Sequence, residues 1–145
     1  MNNKYATVVA VAAFIFDNQN RLLIVKKSAA EKIDAGLWTV PGGKAESTEP
    51  SVDALIRETK EEVNFDIKSY RWSGEDVFKN KDVYYHSFHF LCSVKNTKNI
   101  KLERSLLQYH WLKKNEIENF QFHPNIKKRI LFLFTHSHQP SLRPD

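Results

Sequence analysis

Hydrophobic and polar positions change period several times along the chain. Residues 6–16 are almost wholly apolar, as is the middle of Arg21-Leu-Leu-Ile-Val-Lys26, and Asp17-Asn18-Gln19-Asn20 separates the two runs. Short apolar runs bounded by turn-forming residues are the mark of buried strands, so a β-hairpin over 6–16 and 21–26 is expected at a sheet edge. A helix that crosses a bilayer takes ~20 apolar residues, more than the first run offers. Ala10-Val11-Ala12 has the small residues of a leader cleavage site, yet only Lys4 precedes it as a basic segment, and the Val and Ile content favours a strand. Residues 28–36 are small and polar, and Gly36-Leu37-Trp38-Thr39-Val40-Pro41 reads as a short strand entering a loop at Pro41-Gly42-Gly43. Three of the chain's four glycines fall between 36 and 43, where the backbone is expected to need positive φ or the close approach of a ligand.

Between Ser51 and Val63 the period becomes helical. Val52, Leu55, Ile56, Thr59 and Val63 form one stripe, with Thr48 or Glu49 as candidate cap and Pro50 tolerated in the first turn. Strands are expected at 66–72 and 82–94. The second alternates, with Tyr84, His86, Phe88, Phe90 and Cys92 on one face and Tyr85, Ser87, His89 and Leu91 on the other. A short strand at 108–112, a helical turn at 114–119, an amphipathic helix over 124–135 and a frayed tail over 136–145 complete the chain. No repeat, low-complexity tract or linker divides it, so residues 1–145 are expected to form a single domain.

Composition narrows the picture. With 145 residues, 17.0 kDa and 41% hydrophobic residues, the chain buries enough surface for a full core without staples. Cys92 is the only cysteine, which excludes an intrachain disulfide and a zinc site of paired cysteines, and suits a reducing, cytoplasmic compartment. A net charge of +5 and a pI near 9.3 invite a polyanionic partner.

The charge is unevenly placed. In Arg57-Glu58-Thr59-Lys60-Glu61-Glu62, a rise of about 100° per residue gathers Glu58, Glu61 and Glu62 on one helix face. Like charges at i,i+3 and i,i+4 weaken a helix by a few tenths of a kcal/mol each. A solvated face with Arg57 and Lys60 as partial compensation is the plain explanation, and a divalent cation with oxygen ligands is the sharper one. The glycine loop ahead of the helix favours the second, since free backbone groups beside a carboxylate-bound metal suit a phosphate ester.

These residues resemble the Nudix hydrolase signature. Gly43, Glu49, Arg57, Glu58, Glu61, Glu62 and Phe65 match it in spacing, seven positions over 23 residues, and Gly36–Glu46 is similar to the family's approach to the motif. Asn64 stands where the pattern has glycine, and Asn is the next best residue for a left-handed helix end. Thr59 replaces an aliphatic residue and is expected to bond a carbonyl one turn back.

The resemblance implies an α/β fold, an α/β/α sandwich in which a mixed central sheet carries the motif helix and the C-terminal helix. It further implies hydrolysis of a nucleoside diphosphate linked to another group, with Mg²⁺ or Mn²⁺ held by Glu58, Glu61 and Glu62 and by the Gly42 carbonyl. Arg57 would orient Glu58, Glu49 would pair with Arg57, and Glu46 would stand further out. Many members place a Glu a few residues before the Trp of a late strand. Here that Trp is Trp111 and Gln108 occupies the place, so Glu103, Glu61 or Glu62 is left to activate the water.

For the substrate, Lys44 is a candidate phosphate contact, and Tyr84, Phe88, Trp72 and Phe78 are candidates for stacking on a base. Trp38 and Trp111 are read as packing residues, and Lys127-Lys128-Arg129 as the polar side of the last helix. His86 and His89 point to opposite faces and cannot share a metal. Two other classes compete: a nucleotide-binding sensor without turnover, and a basic nucleic-acid-binding domain. No groove-reading motif supports the latter. Residues 46–66 hold seven acids against Arg57 and Lys60, so this stretch carries −5 and the rest of the chain +10. A basic surface around an acidic site suits a small polyphosphate arriving with its cation, with nucleic acid and membrane not expected as partners and the chain a monomer or homodimer.

Overall fold

In a computed structural model, which describes residues 6–136, the apolar runs become strands buried on both faces. The elements are β1 (Ala6–Ile15), β2 (Leu22–Lys27), β3 (Trp38–Thr39), β4 (Gly42–Lys44), α1 (Ser51–Val63), β5 (Ile67–Asn80), β6 (Val83–Val94), β7 (Leu106–Leu112), a 3₁₀ segment (Lys114–Asn119) and α2 (Pro124–His136). Period-two alternation divides the strand side chains between two cores. Val11, Ala13, Ile15, Leu23, Val25, Phe90 and Cys92 pack with Leu55, Val63 and Phe65 on the α1 side. Ala12, Phe14, Phe16, Leu22, Ile24 and Leu91 pack with Ile130, Leu133 and Phe134 on the α2 side. The result is the expected α/β/α layering.

The sheet is mixed and split. Four strands run in the order β4-β1-β6-β5, with β1 and β6 parallel and the other pairs antiparallel, and three run in the order β3-β2-β7. The predicted β1–β2 hairpin does not form as a ladder: only the bridge Phe16–Leu22 joins the two, and each strand pairs with partners distant in sequence. The turn itself is as expected. Asp17 accepts from the N–H groups of Gln19 and Arg21 and from Arg21 Nε, while Asn20 takes φ 61°.

Helix α1 begins without a side-chain cap. Pro50 occupies the cap position, Thr48 has φ 64°, and Glu49 is turned to Arg57 instead. Its end is as predicted: Asn64 adopts φ 65° and ψ 32°, and its N–H donates to the Lys60 carbonyl. Thr59 departs from expectation, because its Oγ1 is buried with no hydrogen-bond partner. β5 is longer than predicted and runs on to Asn80, paired with β6 throughout. Trp38 packs edge-on against Phe120 and Trp111 stacks over Phe65, both as core residues. On α2, Lys127 pairs with Glu118 at the surface, whereas Arg129 turns inward and donates to the Ser73 carbonyl at 3.2 Å. The predicted tail lies outside the described residues beyond His136. No helix among the described residues is long and apolar enough to cross a membrane.

Candidate active site

The glycine loop reaches α1 because β1 draws it there. β4 pairs with β1 through Ala12–Gly42, Val11–Gly43 and Ala10–Lys44, and the Ala13 N–H donates to the Pro41 carbonyl at 2.7 Å. The contact leaves no room for side chains on the loop. A Cβ on Gly42 would overlap the Val11 carbonyl, and one on Gly43 would overlap the Glu58 carboxylate. The Gly42 N–H donates to Glu62 Oε1 at 2.7 Å, fixing that carboxylate against the loop.

Arg57 organises the neighbouring acids. Its guanidinium donates to Glu49 through Nε (2.9 Å) and Nη2 (2.8 Å), to Glu58 through Nη1 (2.8 Å), to Glu61 through Nη1 (3.1 Å) and to the Lys44 carbonyl through Nη2 (3.1 Å). The fork geometry that arginine alone offers thus joins α1 to the turn before it. The Arg57 hydrogen bonds, with a further one from the Glu46 N–H, bring the Glu49 carboxyl down to about 2, and Glu49 in turn raises Arg57. Glu46 contributes backbone only.

The three helix glutamates therefore separate. Glu58 and Glu62, one turn apart, face the loop, while the Glu61 side chain lies at the rim, 53% exposed. Burial pushes Glu62 up to about 8, reinforced by the charges of Glu58 and Glu103 and opposed by the Gly42 N–H and by Lys27. Burial also raises Glu58, against the pull of Arg57. Glu103 arrives from the loop before β7: its N–H donates to the Glu62 carbonyl at 2.9 Å, and Lys101 bonds the Val63 carbonyl just beyond. The loop is pinned further by Asn64 Nδ2 on the Asn99 carbonyl. Gln108 lies in β7 opposite Lys26, away from these carboxylates.

Glu58, Glu62 and Glu103 line one end of a cavity of about 590 Å³, with Gly42, Gly43 and Lys44 at its wall. Lys44 extends over the Tyr85 ring, its Nζ 5.7 Å from the centroid. Among the described residues no three acidic, His or Cys side chains already close on one point. Two buried carboxylates and a third nearby, with a single guanidinium shared among four acids, nevertheless leave an excess of negative charge that a divalent cation would offset. The donor set fits such an ion.

The aromatic candidates divide as well. Phe78 lines the cavity, stacked on Tyr85 at 5.1 Å. Tyr84 and Phe88 alternate with Tyr85, Ser87 and His89 along β6 and so lie on its other face, where Phe88 packs on the α1-side core. Trp72 is 57% exposed on the edge strand β5. Sequence periodicity had separated the two faces of β6 without saying which one met the cavity.

Comparison with known proteins agrees with this geometry. Residues 6–134 match the NUDIX domain family. The chain belongs to the Nudix hydrolase family. The relatives it matches include the mRNA-decapping enzyme subunit 2 of Saccharomyces cerevisiae, 25% identical over 133 residues, where the match takes in 89% of this chain but only 13% of that protein. The CTP pyrophosphohydrolase of Escherichia coli is 29% identical over 84 residues, covering 57% of this chain and 62% of that one. In fold, the Nudix domain matches the MutT protein of Methanosarcina mazei Go1 with a TM-score of 0.81 at 19% identity, covering 95% and 99% of the two chains.

Proposed function

We propose that this Nudix domain hydrolyses a diphosphate linkage in a nucleoside triphosphate or another nucleoside diphosphate derivative, with Mg²⁺ or Mn²⁺ as cofactor. The observation that carries the reading is the pair of buried carboxylates, Glu58 and Glu62, set against a side-chain-free glycine loop in a cavity large enough for a nucleotide. Glu58, Glu62, the rim residue Glu61 and the Gly42 carbonyl would hold the ion. When bound, a divalent ion supplies charge neutralisation on the phosphates and acidifies a coordinated water. Arg57 keeps Glu58 in place, and Glu49 keeps Arg57 in place. Glu103, the acid that reaches the cleft from outside the helix, is assigned the proton of the attacking water. Lys44 stands at the cavity wall as the cation for a phosphate, and its hold on the Tyr85 ring is weak enough to release. A small nucleotide in the cytoplasm is the expected partner. The same residues would permit a sensor that binds and does not turn over.

The test is a panel of nucleoside triphosphates, dinucleoside polyphosphates, nucleotide sugars, ADP-ribose and a capped RNA oligonucleotide, assayed for release of phosphate, pyrophosphate or monophosphate with Mg²⁺. Turnover that is lost in Glu62→Gln supports the assignment. Binding without turnover would establish the sensor, and equal rates in both proteins would defeat the ligand set.

A further inference from the structure

The cavity has a second end, and its chemistry differs from the acidic one. Strand register aligns Asp76, Ser87, Ala10 and Lys44 across β5, β6, β1 and β4, and Gly74, His89, Ala12 and Gly42 in the next row. At about 4.8 Å per strand the two ends stand about 14 Å apart over a floor of small side chains. At the β5 end α2 covers the sheet. Asn125 Nδ2 donates to both Asp76 oxygens, at 3.1 and 3.0 Å, and Arg129 fills the space over Gly74.

His89 is the anomaly. It is 2% exposed, lines the cavity, and neither ring nitrogen has a hydrogen-bond partner. A buried polar atom left unpaired costs about 1–3 kcal/mol, so an imidazole with two such atoms at a cavity wall is a group awaiting a ligand. Burial, aided by the Arg129 charge, holds it down to about 4, which makes it a neutral donor and acceptor and no anchor for phosphate. Asp76 next to it repels phosphate outright. Each Asp76 oxygen keeps a lone pair after the Asn125 bond, so the carboxylate still offers two parallel acceptors.

We propose, on the nucleotide reading above, that this end of the cavity selects a base with two adjacent N–H donors beside an oxo group, the guanine edge, through Asp76 and His89. Asp76 accepts the two donors and His89 donates to the oxygen. Adenine and cytosine place one amino group beside ring acceptors, and uracil sets a single N–H between two oxygens, so none satisfies both acceptors of the carboxylate. Phe78 and Tyr85 flank the edge.

The test is metal-free binding of GMP, IMP, AMP and CMP, which needs no turnover. IMP differs from GMP only by the exocyclic amine that Asp76 would accept. The wild type is expected to bind GMP about tenfold or more tightly than the other three, the scale of one good bidentate pair. Asp76→Asn, at a half-buried strand position, is expected to erase the GMP over IMP preference, and His89→Phe to reduce GMP over AMP. Equal affinity for GMP and IMP, preferences unchanged in both variants, or no detectable binding of any of the four would overturn the inference. Guanine preference without hydrolysis of any nucleotide would instead sink the hydrolase reading and leave this one standing. Hydrolysis without base preference would do the reverse.

Discussion

Gly42 and Gly43 are adjacent and chemically identical, yet their neighbours give them different jobs. An added methyl at Gly42 meets backbone, the Val11 carbonyl, and one at Gly43 meets the end of a side chain, Glu58. Gly42→Ala is therefore expected to lower stability by about 1–3 kcal/mol as β4 is pushed off β1. Gly43→Ala is expected to fold and to lose activity by about tenfold or more, because Glu58 must move; melting curves and steady-state rates separate the two. His89 makes a prediction in pH. Its folded value of about 4 lies below the ordinary 6.5, so its stabilising contribution is complete above about 6.5 and is lost as pH falls toward 4. The melting temperature of wild type is expected to drop over that window relative to His89→Phe, and parallel curves would contradict it. The roles of the motif residues could be read from the sequence because spacing alone puts Glu58 and Glu62 one turn apart. The unpaired state of His89 could not, since it depends on what α2 and Phe14 place around the ring.

Among the elements, α1 shows how local chemistry sets an end. Asn64 carries φ 65°, and a residue with a plain Cβ there costs about 1–2 kcal/mol, so Asn64→Ala is expected to destabilise by about 1 kcal/mol and Asn64→Gly to leave stability near its starting value in denaturant titrations. Thr59 is the opposite case. Its buried hydroxyl has no partner, so Thr59→Val, equal in shape, is expected to gain about 1 kcal/mol, and a loss would mean the hydroxyl is satisfied after all. The helices and the runs at 6–16 and 21–26 were legible from period. The partner of each run was not: strands apolar on both faces satisfy any pairing equally, and β1 and β2 went to different sheets. The far half of β5 escaped because Ser73, Gly74, Glu75 and Asp76 lack an apolar face. They lack it where β5 leaves the core and becomes cavity wall.

For the molecule as a whole, the net +5 conceals a division into an acidic segment of −5 and a remainder of +10, and the fold turns that division into a cleft lined by Glu58, Glu62 and Glu103. Such a field concentrates small anions that carry a cation and gives little grip on a long polyanion. Binding of an ion to the folded state alone stabilises it, by about 2.7 kcal/mol at a hundredfold excess over Kd. Mn²⁺ or Mg²⁺ is thus expected to raise the melting temperature of the wild type and not that of Glu58→Gln combined with Glu62→Gln. The central claim, that this cleft hydrolyses a phosphoric anhydride, meets its most direct test in one comparison: product release from the nucleotide panel with Mg²⁺, wild type against Glu62→Gln. The expected result is turnover of at least one nucleotide by the wild type and a loss of about 10²-fold or more in the variant, on the scale of removing one electrostatic catalytic contact. Turnover at the same rate by both proteins would contradict the account.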